Sequence, residues 1–336
     1  MAQKTFGIDF GTGTIKIYKK GKGLLLSERN VVSTVGKEKR PIAIGEQAYE
    51  MYEKEPPSIH VSFPLNHGVI AHMQDMIALW NYMNQKLSAK KKVKGCEYYL
   101  AVPADITEVE KQAYSQIISE GETKPKKVFL VDKPVANAYG LGLDLDRSRG
   151  IMIVDVGADT TEITILSLGG IVVSKLLPFG GNQLDTVIRN YIRKEYNFLI
   201  GNRTAEQLKK QLVYAIPSDT VSVKVVGRDV LKGLPGECTI TDTEIFPLVQ
   251  DYFTDITGQV RSMLEHTPPE ISSCIIQDGI YLTGGSSRIH GLAERIAETT
   301  DVRVNPAASP QETVVNGLGY IAEHARQMSR HIHLIK

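Results

Sequence analysis

Cysteine is scarce in this chain of 336 residues: Cys96, Cys238 and Cys274 are the whole complement, and no two form a Cys-x-x-Cys pair. Neither a zinc site nor a disulfide framework is indicated, and scattered thiols suit a reducing cytosol. No run approaches the roughly 18 apolar residues of a membrane-spanning helix. The opening MAQKTFGIDF leads directly into a strand-like segment, without the apolar stretch of a signal peptide. Net charge is also lacking, at +1, so whole-chain attraction to nucleic acid is not expected. No Gly-Lys-Ser/Thr leads into a helix, which excludes a Walker loop. With 42% hydrophobic and 23% charged residues, the chain reads as a soluble globular protein, long enough for two domains.

Short strands joined by glycine turns are present instead. Thr5 to Phe10 reads as a strand, Gly11-Thr12-Gly13 as a turn, and Thr14 to Tyr18 as a returning strand with period-two alternation. A second copy follows: Ile151 to Val156, Gly157-Ala158-Asp159, then Thr161 to Leu166. The shared pattern is apolar, Asp, apolar, Gly, small residue, and its aspartates, Asp9 and Asp155, stand 146 residues apart. Duplication at this spacing suggests two similar domains. Between the copies, Met76, Leu79, Trp80 and Met83 recur at helical spacing, and Thr107 with Glu110 has the spacing of a capping box. Thr243 to Leu264 reads as one long helix, and Ile289 to Thr299 as another.

A glycine turn lets backbone N–H groups approach phosphate oxygens with no Cβ in the way. An aspartate at the preceding strand end can hold the waters of a Mg²⁺ ion, which keeps several of them. Asp9 and Asp155 are therefore candidates for a water-mediated metal site. A dinucleotide fold needs its glycines to open a helix, whereas both turns here return to a strand. A third candidate is Gly284-Gly285-Ser286-Ser287, where a strand runs toward a helix whose N–H groups could face a phosphate.

These three sites, in this order, resemble the superfamily of actin, sugar kinases and heat-shock chaperones. Within it the chain is most similar to the MreB family, over nearly its whole length. The matching stretches include Pro64-Leu65-Asn66-His67-Gly68-Val69-Ile70-Ala71, Ser167-Leu168-Gly169-Gly170-Ile171-Val172, Ile200-Gly201-Asn202-Arg203-Thr204-Ala205-Glu206, and Gly227-Arg228-Asp229 with Gly233-Leu234-Pro235. The resemblance implies an α/β, actin-like ATPase fold of two duplicated domains, each a mixed five-stranded sheet flanked by helices, with the nucleotide in the interdomain cleft. Domain one would take residues 1–144 and return for 315–336, with a small subdomain at about 33–65. Domain two would take 145–314, with a small subdomain at about 182–244. Gly11, Thr12, Gly13 and Thr14 would form the first phosphate turn, and Gly157, Ala158, Asp159 and Thr160 the second. Glu206 and Lys209 would border the nucleoside, and Gly284 to Ser287 would complete the pocket.

The implied ligands are ATP and Mg²⁺. The implied partners are further copies of the chain in paired protofilaments, together with cell-wall synthesis and shape-determining membrane proteins. The implied location is the cytoplasm, at the inner face of the membrane. Lys86, Lys90, Lys91, Lys92 and Lys94 could add weak contact with anionic lipid, worth up to about 1 kcal/mol each, or form a solvated turn.

Two positions depart from the family pattern. Asp132-Lys133-Pro134 stands where MreB proteins have Glu-Glu-Pro, so Lys133 occupies the place of the glutamate that polarises the attacking water. An ammonium cannot accept that proton. Asp159 replaces a glycine of the second turn. Lys133 and Asp159 are expected to compensate each other within about 8 Å, a Debye length; alternatively Asp132 takes over water positioning. The consequence of the first reading is ATP binding with slow hydrolysis. A non-hydrolysing scaffold and a metabolite kinase on the same fold are the other readings.

Overall fold

The structure, a computed structural model, describes residues 4–36, 39–88, 95–122, 124–217 and 219–335. Lys90, Lys91, Lys92, Val93 and Lys94 of the proposed lipid contact lie outside the described residues. In chain order the elements begin with β1 (Thr5–Phe10), β2 (Thr14–Lys19), β3 (Gly23–Arg29), β4 (Val32–Val35), β5 (Arg40–Ile44), α1 (Glu46–Met51) and β6 (Ile59–Ser62). There follow β7 (Leu65–Asn66), β8 (Val69–Ile70), α2 (Met73–Ser88), β9 (Glu97–Val102), α3 (Glu108–Ser119), β10 (Lys127–Asp132) and α4 (Lys133–Gly140). The second copy opens with β11 (Ile151–Val156), β12 (Thr161–Ser167) and β13 (Gly170–Leu177). It continues through α5 (Gly181–Tyr196), β14 (Phe198–Leu199), α6 (Asn202–Leu212), β15 (Ser222–Asp229), β16 (Pro235–Thr241) and α7 (Asp242–Ile245). The chain ends with α8 (Gln250–Glu265), α9 (Pro269–Asp278), β17 (Ile280–Thr283), α10 (Leu292–Thr300), β18 (Val304–Pro306), α11 (Thr313–Glu323) and β19 (His333–Ile335).

Contacts divide the chain into two compact units: Met1–Arg149 with Glu162–Pro178 and Gln311–Lys336, and Gly150–Thr161 with Phe179–Pro310. The first unit is built on a six-stranded sheet of order β19-β10-β9-β1-β2-β3. β1 pairs in parallel with β9 and antiparallel with β2, and every residue of β1 is buried. A strand covered on both faces reads as a continuous apolar run, as TFGIDF does apart from its aspartate. The sixth strand, β19, adds three residues to the β10 edge.

One face of this sheet packs on α2 and α3. Met76, Leu79, Trp80 and Met83, the residues recurring at helical spacing, are all fully buried against Phe6, Ile8 and Phe10. Full burial of side chains of this size contributes about 1.5–3 kcal/mol each. The α3 capping box forms: the Thr107 hydroxyl accepts from the Glu110 N–H at 3.3 Å, and Glu110 accepts from the Thr107 N–H at 2.7 Å. α11 packs against α4 and against β1, β2 and β9. Separately, β4, β5 and β6 form a small antiparallel sheet with α1 beside it.

In the second unit β11 pairs in parallel with β17, and β17 with β18. α9 packs on β11, and α8 on α10. α5 packs mainly on α6 and on β14, which begins a three-stranded sheet of order β14-β15-β16.

Two local expectations change. The long helix from Thr243 is broken into α7, a 3-10 turn at Phe246–Val249 and α8, because Pro247 has no N–H to donate. α9 was not anticipated, since its Ser-Ser-Cys centre weakens the apolar pattern between Pro269 and Asp278.

Candidate functional site

The first turn is fixed from behind by one residue. Asn30, almost fully buried, donates from its side-chain amide to Gly11 O at 3.1 Å and from its backbone to Gly13 O at 3.3 Å. A turn whose carbonyls are held on one side can present its N–H groups on the other. Gly11 has no space for a side chain: a Cβ there would stand 2.6 Å from Thr14 O.

Asp9 ends β1 buried, and the antiparallel register places Lys16 opposite it. The two charges stand 3.8 Å apart, and the Lys16 ammonium donates to the Thr14 hydroxyl at 2.8 Å. Sequence reasoning missed Lys16 and Asn30. Lysine at alternate positions of a strand reads as a solvated face, yet Lys16 is 8% exposed. The usable signal was its two-residue offset past Thr14, which returns it to the aspartate across the hairpin.

Asp132 caps β10, 3.6 Å from the Lys111 ammonium, and Lys133 is the first residue of α4. Tyr114, buried on α3, donates its hydroxyl to Gly68 O at 2.7 Å. Burial pushes the Tyr114 phenol well above its ordinary range; the Lys133 charge opposes this, while Asp9, Glu162 and Glu110 add to it. Lys133 and Asp9 thus both act on one buried phenol.

The second turn repeats the local geometry of the first. The Gly157 N–H donates to Thr160 O at 2.8 Å, and a Cβ on Gly157 would stand 2.9 Å from that oxygen. Its carbonyls are held differently. Gly157 O accepts from the Gly181 N–H at 3.1 Å and the Ser286 hydroxyl at 2.8 Å, and Ala158 O accepts from the Asn182 N–H at 2.7 Å. The N-terminus of α5 and the third glycine site are thereby tied to the turn. Asp155 is buried at the end of β11, and Gly284, at φ 89°, lies directly against its carboxylate.

The third site differs from expectation in its secondary structure. Gly285–Arg288 form a 3-10 turn, and α10 begins only at Leu292. Ser287 bonds back to Gly284 O at 2.7 Å, so Ser286 is the serine engaged with the second turn.

Glu206 and Lys209 share α6 but engage different partners. Glu206 pairs with Lys210 at 2.7 Å. The Lys209 ammonium bonds Asp185 at 2.8 Å and Gly181 O at 3.0 Å. Burial raises the Asp185 carboxyl above its ordinary value, and Lys209 only partly offsets this. Lys209 therefore stands beside the second turn as the cation binding α6 to α5.

Among the described residues, no group of three or more His, Cys, Asp or Glu side chains could hold a metal ion. Asp9 and Asp155 each stand buried beside a glycine turn of their own unit.

Comparisons with known proteins agree in placing the chain. The family model for MreB/Mbl protein matches residues 3–330. The cell shape-determining protein Mbl of Bacillus cereus is 34% identical over 331 residues, covering 98% of this chain and 99% of that protein. The crystal structure of MreB5 of Spiroplasma citri bound to ADP superposes with a TM-score of 0.91 at 30% identity, covering 98% of this chain and 99% of that one. Its AMPPNP-bound structure gives a TM-score of 0.90 at the same identity and coverage. The fold is the actin-like fold, and the chain belongs to the MreB/Mbl family.

Proposed function

We propose that this chain binds Mg-ATP, assembles into filaments of paired protofilaments and serves as a cell shape-determining scaffold. The observation that carries the reading is the duplicated turn: Gly11 against Thr14 O and Gly157 against Thr160 O, each beside a buried aspartate. The ADP and AMPPNP complexes of MreB5 support an adenine nucleotide as the ligand. The name of the Mbl relative supports a role in cell shape.

In this reading Gly11 to Thr14 and Gly157 to Thr160 receive the phosphates, and Asp9 and Asp155 hold Mg²⁺ through water. Lys16 adds a cation at the first turn. Asp185 holds Lys209 beside the nucleoside, and Gly284 to Ser286 brace the second turn. The proposed organisation is residues 1–144 with 315–336 as one domain and 145–314 as the other. The proposed setting is the inner face of the membrane, among cell-wall synthesis proteins. No helix among the described residues is long and apolar enough to cross a membrane.

Hydrolysis is slow in this reading because Lys133 cannot act as the base that a glutamate would supply. Sedimentation of the purified protein with Mg-ATP, with Mg-ADP and without nucleotide tests it, with phosphate release followed in the same tubes. Pelleting with Mg-ATP and little phosphate is the expected result. A protein that stays monomeric at every concentration sinks the filament reading, and steady phosphate release makes Asp132 the working group.

A further inference from the structure

Lys16 is the only buried lysine among the described residues, and none of the described arginines is buried. A long cationic side chain is shut away from water only where something offsets its charge. β2 runs between β1 and β3, and Ile15 and Ile17 turn to the core that holds Trp80. Lys16 turns to the opposite face, which α11 covers. On that face Gly7 lies against Leu318 and the Tyr18 ring against Gly319. The register sets Gly7 across from Tyr18 and Asp9 across from Lys16.

The ammonium is steered to the end of the strand. It donates to the Thr14 hydroxyl at 2.8 Å, so the side chain runs back along β2 toward the glycine turn. The Asp9 carboxylate stands 3.8 Å away, close enough to balance the charge and too far for a hydrogen bond. An ammonium has three donors, and among the described residues Thr14 takes the only hydrogen bond that Lys16 makes. A buried cation with donors to spare, beside a turn of backbone N–H groups, suits an oxyanion. The Thr14 hydroxyl accepts from Lys16 and so keeps its own proton for the same ligand. Asn30 engages Gly11 O and Gly13 O, and these carbonyls do not draw the ammonium away.

Charge decides what Lys16 adds. A buried carboxylate beside phosphates repels them, and a bound divalent cation is the usual offset. Here Asp9 already has a cation supplied by the fold, and the pair is neutral. Because no hydrogen bond locks the two together, the ammonium can shift onto a phosphate oxygen while it remains within reach of the carboxylate's field.

We propose that Lys16 is a resident cation of the first turn, which lets this chain hold a nucleotide polyphosphate when divalent metal is withdrawn. Such a role presupposes the nucleotide reading above and sets how weakly that site depends on Mg²⁺. Lys16 binds and does no proton transfer, since a buried ammonium has no lone pair to offer a water. The other cation acting in this region is Lys133, which opens α4 only partly buried and shares the Tyr114 phenol with Asp9.

Calorimetric titration of ATP into the parent, Lys16→Met and Lys133→Met, each with Mg²⁺ and with EDTA, reads the effect. Thermal melts without nucleotide confirm folding. The parent is expected to lose less than about tenfold in affinity when EDTA replaces Mg²⁺. Relative to the parent, Lys16→Met is expected to bind about a hundredfold more weakly in EDTA and less than about tenfold more weakly with Mg²⁺, the range that hydrogen bonds from a charged group span. Lys133→Met is expected to keep the parent's response to metal. A parent that binds with Mg²⁺ and not with EDTA overturns the resident cation and leaves the nucleotide reading standing, and this arm requires no variant to fold. An equal loss in Lys16→Met with and without metal makes the lysine a structural partner of Asp9, which overturns it too. Loss of metal-free binding in Lys133→Met alone gives the role to Lys133 instead. No binding by the parent in either solution overturns the nucleotide reading as well.

Discussion

Gly317→Ala is expected to destabilise the first unit by about 3 kcal/mol or more, at the upper end of overpacking costs. α4 and α11 cross with their backbones touching. A Cβ on Gly317 would overlap Ala136 O and come within 2.9 Å of Gly140 N, and one on Gly140 would overlap Thr313 O. Backbone atoms in helices cannot move aside as a flexible side chain can, so the helices must separate. α11 also packs on β1, where Gly7 meets Leu318, so separation disturbs the sheet as well. Gly140→Ala acts through the same contact, and the double variant should cost less than the sum. The control is Gly258→Ala on the exposed face of α8, where a Cβ meets nothing within 4 Å. It should stabilise by about 0.5–1 kcal/mol through helix propensity alone. Urea unfolding midpoints of the four variants check this, and equal effects at Gly317 and Gly258 would refute the close-crossing account. The consequence reaches the site, because α4 begins at Lys133.

Lys133→Glu is expected to raise phosphate release roughly 100-fold, at the lower end of the range of general-base contributions. The variant places a carboxylate where an ammonium stands at the start of α4. An added acidic residue at a helix N-terminus is also favoured by the helix dipole, by about 0.3–1 kcal/mol. Asp159 complicates the change, since it was expected to compensate Lys133 and would now add a second negative charge near the phosphates. Lys133→Glu with Asp159→Gly is therefore expected to release phosphate fastest. Asp132→Asn alone should change little, because Asp132 is already paired with Lys111. Single-turnover phosphate release measures all of these. A fall in rate for Asp132→Asn with no gain for Lys133→Glu would give the role to Asp132.

The hairpins, the α2 core face and the α3 capping box were legible in the sequence because each is a local pattern. Asp-x-Gly, i/i+3/i+4 apolar spacing and Thr-x-x-Glu need no knowledge of distant contacts. Lys16 was hidden because its burial depends on packing around β2 by elements far along the chain, α11 among them. Asn30 was hidden for a similar reason, as it acts across a hairpin on a turn 17 to 19 residues earlier. The break at Pro247 was legible in principle, and the helical periodicity on both sides concealed it. The place of Lys209 beside the nucleoside came from the family resemblance, and its ion pair with Asp185 on the neighbouring helix was hidden because no local pattern links the two residues.

The central claim is that the two glycine turns are phosphate-binding elements. The direct measurement is calorimetric titration of Mg-ATP into the parent, Gly11→Val and Gly157→Val, with thermal melts as the folding control. The account predicts binding by the parent and loss of at least tenfold in affinity at each variant, because each added side chain meets the threonine carbonyl that shapes its turn. Unchanged affinity in both folded variants, or no binding by the parent, would contradict it.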